Sequence, residues 1–291
     1  MCPTGRPRYS TVLAALALGL GMISMTACSG GSSGGTPAAQ QSVTPSTTPG
    51  ANPDPVPDPQ TVLKVLGLYT PGVESHYADP DLRVQHLFNV ANDVLQTSGV
   101  ALELQLAHLE RVDYPDGPGA QEALEAVTLA THTAFSTVAQ LRDDTAADVV
   151  VLFRPYTGDG LCGYAWIGGY QTEGDFSNPA EPDFAYSTVA VDCSDYTLLH
   201  EVGHNLGLAH SRREDPDGGS LRHGAGHGAQ NDFVTIMATA SEFNAVRLPL
   251  LANPGLTCNG NPCGIPAADD VNGADAVLAL SISKDQVAGY R

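Results

Sequence analysis

The side chains best suited to chemistry lie in one run, His200-Glu201-Val202-Gly203-His204-Asn205-Leu206-Gly207-Leu208-Ala209-His210. On a helix, residues four apart differ by about 40° around the axis, so His200 and His204 project from one face, a turn apart. Two imidazoles placed that way can share a tetrahedral zinc ion at about 2.0–2.1 Å each. Glu201 stands beside the first of them, where its carboxylate can serve as a general base without ligating the metal. His210 discriminates between readings. In a continued helix it would point about 240° away from His204, so it joins the other two only if the chain reverses between them. Gly207 suits that reversal, because a helix C-terminus asks for a positive φ that glycine adopts without a Cβ clash. Chance assembles base, breaker and three ligands in a chain of this length with odds on the order of one in a hundred thousand.

The elements that must carry these residues follow from periodicity. Thr61 to Tyr69 is rich in Val and Leu and reads as a buried strand. Asp81 to Thr97 has helical spacing and stops before Gly99, and Val100 to Leu109 alternates like a strand with one wet face. Ala120 to Leu141 reads as one long helix, and Asp148 to Phe153 as a central strand, apolar without interruption after its first residue. Gly163 to Gly168 and Tyr186 to Val191 are short strand candidates ahead of a helix at Thr197 to Leu206. Beyond it the chain is glycine-rich, with a last helix expected near Ala268 to Leu280. Alternating strands and helices predict an α/β domain with helices packed on a twisted, mostly parallel sheet and a loop-rich C-terminal subdomain.

Composition narrows the partners. Thirteen Lys plus Arg stand against 32 Asp plus Glu, a formal net charge of −19, which repels phosphate backbones and argues against nucleic acid as a partner. Arg6 and Arg8 open a short basic start, and Thr11 to Met25 is an apolar run too short to span a bilayer comfortably. Met25-Thr26-Ala27-Cys28 resembles the lipobox of bacterial lipoproteins, in which the cysteine is diacylated and becomes the new N-terminus. The expected organisation is a signal peptide over 1–27 and a Gly/Ser/Pro-rich tether over 28–60. A catalytic domain follows over 61–291, with an upper part to 210 and a lower part from 211. Lipid on Cys28 would hold that domain, as a monomer, on the bacterial envelope, facing periplasm or exterior; plain secretion is the alternative.

Four cysteines remain in the folded region, an even number suited to an oxidising compartment. Cys258 and Cys263 flank Asn-Gly-Asn-Pro, a loop that could close on itself and leave Cys162 for Cys193; three pairings are open on sequence alone. His223 and His227 lie in a glycine-rich loop and read as exposed rather than as further ligands. His76, His86, His108 and His132 are scattered. Arg247 and the Arg212-Arg213 pair follow the zinc motif and read first as salt-bridge residues, with selection of an acidic substrate side chain as the sharper alternative.

The run from His200 to His210 resembles the signature of the metzincin metallopeptidases, His-Glu-x-x-His-x-x-Gly-x-x-His followed by a methionine-containing turn. Phe233-Val234-Thr235-Ile236-Met237-Ala238 is similar to that turn, with Met237 lying 27 residues after His210. Leu161-Cys162-Gly163-Tyr164-Ala165-Trp166, Gly226-His227-Gly228 and the Cys-containing C-terminal loop resemble the reprolysin-like, adamalysin-type bacterial branch, including peptidyl-Asp metalloendopeptidases. The resemblance implies a metzincin-type catalytic domain, a Zn2+ cofactor and a protein or peptide substrate. It places Met237 as a soft floor beneath the imidazoles and Gly163 to Gly168 as the edge strand that receives an extended peptide. It also puts Arg247 and the Arg212-Arg213 pair where such enzymes build the pocket beyond the scissile bond. There are departures: Ser211 follows the third histidine where adamalysins carry Asp, Ala229 stands where an aromatic is common, and Thr239 rather than Tyr lies two residues past Met237. Two other readings share these residues: an inactive zinc-containing surface adhesin, and a zinc hydrolase of non-peptide bonds.

Overall fold

The computed structural model describes residues 22–26, 60–169 and 173–291. Most of the stretch read as signal and tether therefore lies outside the described residues, Cys28 included. A six-stranded sheet organises the molecule. In chain order its strands are β1 (Met22–Thr26), β2 (Thr61–Tyr69), β3 (Leu102–Arg111), β4 (Val149–Arg154), β5 (Leu161–Trp166) and β6 (Tyr186–Ala190), arranged β1-β5-β6-β4-β2-β3. β3, β2, β4 and β6 run parallel, whereas β5 lies antiparallel on β6 and β1 antiparallel on β5. Every residue of β4 is buried, as an apolar central strand of a parallel sheet requires.

Alternation along the strands feeds two cores. Leu63, Val65, Val149, Val151 and Phe153 face one side, while Leu66, Leu68, Val150 and Leu152 face the other. The first side packs against helix α2 (Pro80–Ser98) and the active helix α5 (Thr197–Asn205), with α1 (Pro71–His76) at its rim. The second is covered by α3 (Ala120–Thr128) and α4 (Val138–Asp144). The start and stop of α2 are explicit in its residues. The Asp79 side chain accepts the Leu82 N–H at 3.0 Å, Pro80 needs no donor partner, and Gly99 closes the helix at φ 84°.

Two helices differ from the sequence expectation. The long helix over 120–141 is broken: α3 ends at Thr128, Ala130 takes φ 48°, and the His132 Nδ1 accepts the Ala134 N–H at 3.1 Å. A continuing helix would have given that N–H to the Ala130 carbonyl, so a 3-10 turn (Thr133–Phe135) and then α4 replace it. The last helix begins later than periodicity suggests. Asp269 accepts the Val271 and Asn272 N–H groups and holds a turn, and only Asp275, capping Leu278 at 3.0 Å, opens α7 (Ala276–Val287).

The lower part is built from short strands: β7 (Ala209–Ser211) beside β8 (Ala225–Gly226), and β9 (Gly228–Ala229), β10 (Phe233–Val234) and β11 (Val246–Arg247) in a second small sheet. The four-residue α6 (Ala240–Phe243) joins β10 to β11. Cys258 and Cys263 close a hairpin of β12 (Thr257–Cys258) and β13 (Asn261–Pro262), and Cys162 is joined to Cys193. The Cys162–Cys193 bridge spans 31 residues and ties β5 to the segment leading into α5. A loop of that length is worth about 3–4 kcal/mol in the chain-entropy description. Replacing both Cys162 and Cys193 by Ser should lower the melting temperature by about 6–12 °C, read by calorimetry on the oxidised protein. An unchanged melting temperature would show that the sheet edge is held without the bridge.

Candidate metal centre

The local sequence of α5 makes the reversal that the third histidine needs. Leu206 caps the helix, and Gly207 takes φ 89°. The Gly207 N–H donates to the His204 carbonyl at 2.8 Å and the Leu208 N–H to the Gly203 carbonyl at 2.9 Å, the paired bonds of a Schellman turn. Beyond it β7 carries His210 back over the helix. His200 Nε2 then lies 3.1 Å from His204 Nε2 and 3.1 Å from His210 Nε2. Nitrogens at 2.0–2.1 Å from a tetrahedral ion stand about 3.3 Å apart, so His200 already sits at zinc-sharing distance from both partners, and all three ligand atoms lie within 4.8 Å of one another. All three rings are buried, and among the described residues they form the metal-holding set; His223 and His227 are not part of it.

The far side of each ring fixes which nitrogen is free. His200 Nδ1 lies 3.0 Å from the Ile236 carbonyl and His204 Nδ1 2.7 Å from the Leu208 carbonyl. A carbonyl only accepts, so both Nδ1 atoms carry the proton and both Nε2 lone pairs face the centre. His210 has a carboxylate instead: Asp215 accepts the His210 backbone N–H at 3.1 Å and its Oδ2 stands 3.5 Å from Nδ1. Burial, reinforced by the neighbouring rings, holds His200 well below the ordinary histidine range. Burial likewise pushes His204 down to about 3, and His210 down to about 4. The triad is therefore neutral at pH 7, the form that binds a metal.

Glu201 is the decisive residue for the fit. Its side chain is 1% exposed and both carboxylate oxygens are without a hydrogen-bond partner. Burial alone drives its carboxyl well above the usual carboxylate range. A charge in that position is tolerable only beside a cation, and three neutral imidazole donors next to it supply the seat for one. The residues present thus fit Zn2+. Gly163 of β5 lets the carboxylate sit there, because a Cβ at that position would collide with Glu201 Oε1. Gly203 on α5 likewise leaves room for Met237, whose sulfur lies 2.9 Å from where a Cβ would stand. Met237 is fully buried, and its neighbour Ile236 supplies the carbonyl that orients His200. Asn205 anchors α5 to the sheet, donating to the Trp166 and Tyr186 carbonyls at 2.9 Å each.

Sequence reasoning missed Asp215 and Glu214. Ser211, where an Asp follows the third histidine in adamalysins, donates its hydroxyl to Glu214 Oε2 at 2.6 Å, and the same oxygen accepts the Thr239 N–H at 3.2 Å. Glu214 thereby ties the end of β7 to the residues just past Met237. The available signal was two carboxylates within five residues of His210, in a run whose arginines drew the reading toward surface charge. Those arginines are spent on the fold: Arg212 donates to the Val271 carbonyl, and Arg213 stacks over the Phe243 ring.

Replacing Asp215 with Asn should weaken zinc binding about tenfold, measured by competition against a chelator; unchanged affinity would remove Asp215 from the support of His210. A pH effect follows from the buried rings. In the zinc-free Glu201→Gln protein the histidines protonate near 6.5 when unfolded, but only near 3 and 4 for His204 and His210 when folded. Between those values the unfolded chain binds more protons, so stability rises with pH. The denaturant midpoint should fall as pH drops from 6.5 to about 4 and be level above 7. Glu201 is replaced in this measurement because its raised carboxyl acts with the opposite sign.

Comparison with known proteins agrees with this geometry. Residues 67–268 match the family described as metallo-peptidase family M12B, reprolysin-like. The chain is similar to a peptidyl-Asp metalloendopeptidase of Pseudomonas aeruginosa, 33% identical over 248 residues that make up 78% of this chain and 40% of the relative. A protein of the same name from Xanthomonas campestris is 28% identical, over 69% of this chain and 45% of its own length. The chain thus spans less than half the length of these relatives. A solved structure titled as a chaperone–substrate complex shares the fold at a TM-score of 0.60 and 22% identity, over 80% of this chain and 35% of that one. Zinc-motif geometry, methionine turn and sequence match together establish that this chain belongs to the reprolysin-like branch of the M12B metallopeptidases.

Proposed function

We propose that this domain is a zinc-dependent endopeptidase that cleaves extracellular proteins or peptides, with Glu201 as its general base. The observation that carries the reading is the buried Glu201 carboxylate, left without partners beside three neutral, convergent imidazoles. His200, His204 and His210 would hold the zinc, which would supply Lewis-acid activation of water and of the scissile carbonyl. Glu201 would take the proton of the attacking water and deliver it to the departing amine. An inactive adhesin would have no use for a desolvated, unpaired carboxylate at this point.

The pairing of β5 supports the peptide reading. β5, expected as the edge strand, lies inside β1 in the sheet: β1 runs antiparallel along it, Met22 opposite Trp166 and Ile23 opposite Ala165, so this side of β5 accepts an extended strand. Gly163, which abuts Glu201, lies on β5, so a peptide taking the place of β1 would pass beside the base. The relatives named peptidyl-Asp metalloendopeptidases support an aspartate next to the cleaved bond as the preferred substrate feature. The N-terminal sequence supports export and lipidation at Cys28, which would tether a monomeric catalytic domain to the bacterial envelope through residues 28–60.

The Glu201→Gln protein should bind zinc like the parent and lose at least about 10³-fold in casein hydrolysis, measured beside metal analysis. Hydrolysis at the parental rate would end the assignment of Glu201. Gly163→Ala should keep zinc and lower kcat about 10- to 100-fold, because the added methyl displaces the base rather than the metal. A Gly163→Ala protein with parental kcat would show that the contact between β5 and Glu201 is without consequence for turnover.

A further inference from the structure

Against the methionine turn lies a positive charge that no ion pair balances among the described residues. Arg247 is on β11, which runs parallel to β10 with Arg247 opposite Val234, three residues before Met237. Its Nη2 donates to the Ala238 carbonyl at 3.1 Å, immediately after Met237. Its Nε is buried and donates to nothing. Ala238 lies two residues past Ile236, whose carbonyl orients His200, so the contact sets the guanidinium against the turn that positions the triad. Arg247 therefore stands at the methionine turn, on the strand paired with the one leading into it.

The other inward arginines show what a structural guanidinium looks like here. Arg142 donates to the carbonyls of Ala147, Pro182 and Asp148. Arg154 donates to those of Gly119, Asp116 and Pro118. Arg83 reaches the Val191 carbonyl and pairs with Asp195 at 2.7 Å. Among the described residues Arg247 has no ion pair, and Glu214, which acts on it through space, has committed Oε2 to Ser211 and Thr239. A half-buried cation with an unspent donor beside a seat for a second cation is unfavourable twice over, through desolvation and through like-charge repulsion. A carboxylate arriving with the substrate relieves both, accepting the free N–H groups of the planar fork while balancing its charge.

We propose that Arg247 is the specificity-determining residue of this site, binding the carboxylate side chain of a substrate residue adjacent to the scissile bond. The assignment rests on the endopeptidase reading above and deepens it by naming the group that reads the acid. Arg247 takes no part in the bond-breaking step. Its contribution is binding energy available to a carboxylate and withheld from the isosteric amide.

The test uses zinc-loaded protein and quenched peptides identical except for Asp, Asn or Lys at each position flanking the cleaved bond, with mass spectrometry locating the cut. The parent should favour Asp over Asn about 10- to 100-fold in kcat/KM at one flanking position. Arg247→Gln should bring that ratio to within about threefold, Arg247→Lys should restore part of it, and Arg247→Glu should favour Lys. Zinc content and circular dichroism accompany each variant, and Gln and Lys carry the test if the Glu variant does not fold. Full discrimination in Arg247→Gln, or a parent that cleaves without preferring the acid, overturns the role of Arg247 and leaves the endopeptidase reading standing. A zinc-loaded parent that cleaves no peptide overturns the endopeptidase reading. Arg247 is then judged by binding of the Asp and Asn peptides to the Glu201→Gln protein with and without Arg247→Gln. Equal affinities for both peptides before the Arg247 change overturn the proposal.

Discussion

Everything in this domain depends on one reversal of the backbone, at the C-terminus of the active helix. Two of the three imidazoles come free with helical geometry, because His200 and His204 share a face. The third arrives only because Gly207 adopts φ 89° and two Schellman hydrogen bonds fold β7 back over the helix. The same turn serves a second purpose, since the Leu208 carbonyl it exposes takes the His204 Nδ1–H. Any side chain at Gly207 would meet both the φ constraint and the Phe176 ring and Ser220 side chain packed against it.

Electrostatically the centre is built from absences. Its histidines are neutral because burial forbids their charge, and the Glu201 carboxylate has no donor. Arg247 nearby forms no ion pair among the described residues. Each of these groups is costly in the protein alone and each is matched by something external: a dication for the rings and Glu201, a carboxylate for Arg247. Folding energy stored as unsatisfied charge becomes binding energy when the complementary groups arrive.

Close approach is the other theme. Gly163 and Gly203 bring β5, α5 and the methionine turn to distances that a single methyl would break, and the Cys162–Cys193 bridge holds the glycine-bearing strand in place from the residue next door. Glu214 works from below, joining Ser211 to the residue two past Met237. The three histidines, Glu201 and Met237 are thus positioned by contacts between segments far apart in sequence, with α5 at their junction.

The one-dimensional sequence settled whatever depends on local geometry. Four-residue spacing put two histidines on one helical face, glycine marked the reversal, and an apolar run with no polar interruption announced the central strand, since each follows from backbone sterics or burial within a few residues. It overran where a local competitor won, as His132 did by capturing the Ala134 N–H and breaking a helix that periodicity alone would have continued. Only the folded chain decided the rest. It chose the Cys162–Cys193 pairing, set Asp215 beside His210, brought Gly163 against Glu201 and left Arg247 without an ion pair among the described residues. The physical reason is range: a helix face is written in neighbours, whereas a desolvated charge is defined by everything that surrounds it, and those surroundings come from β5, β10 and β11 at once.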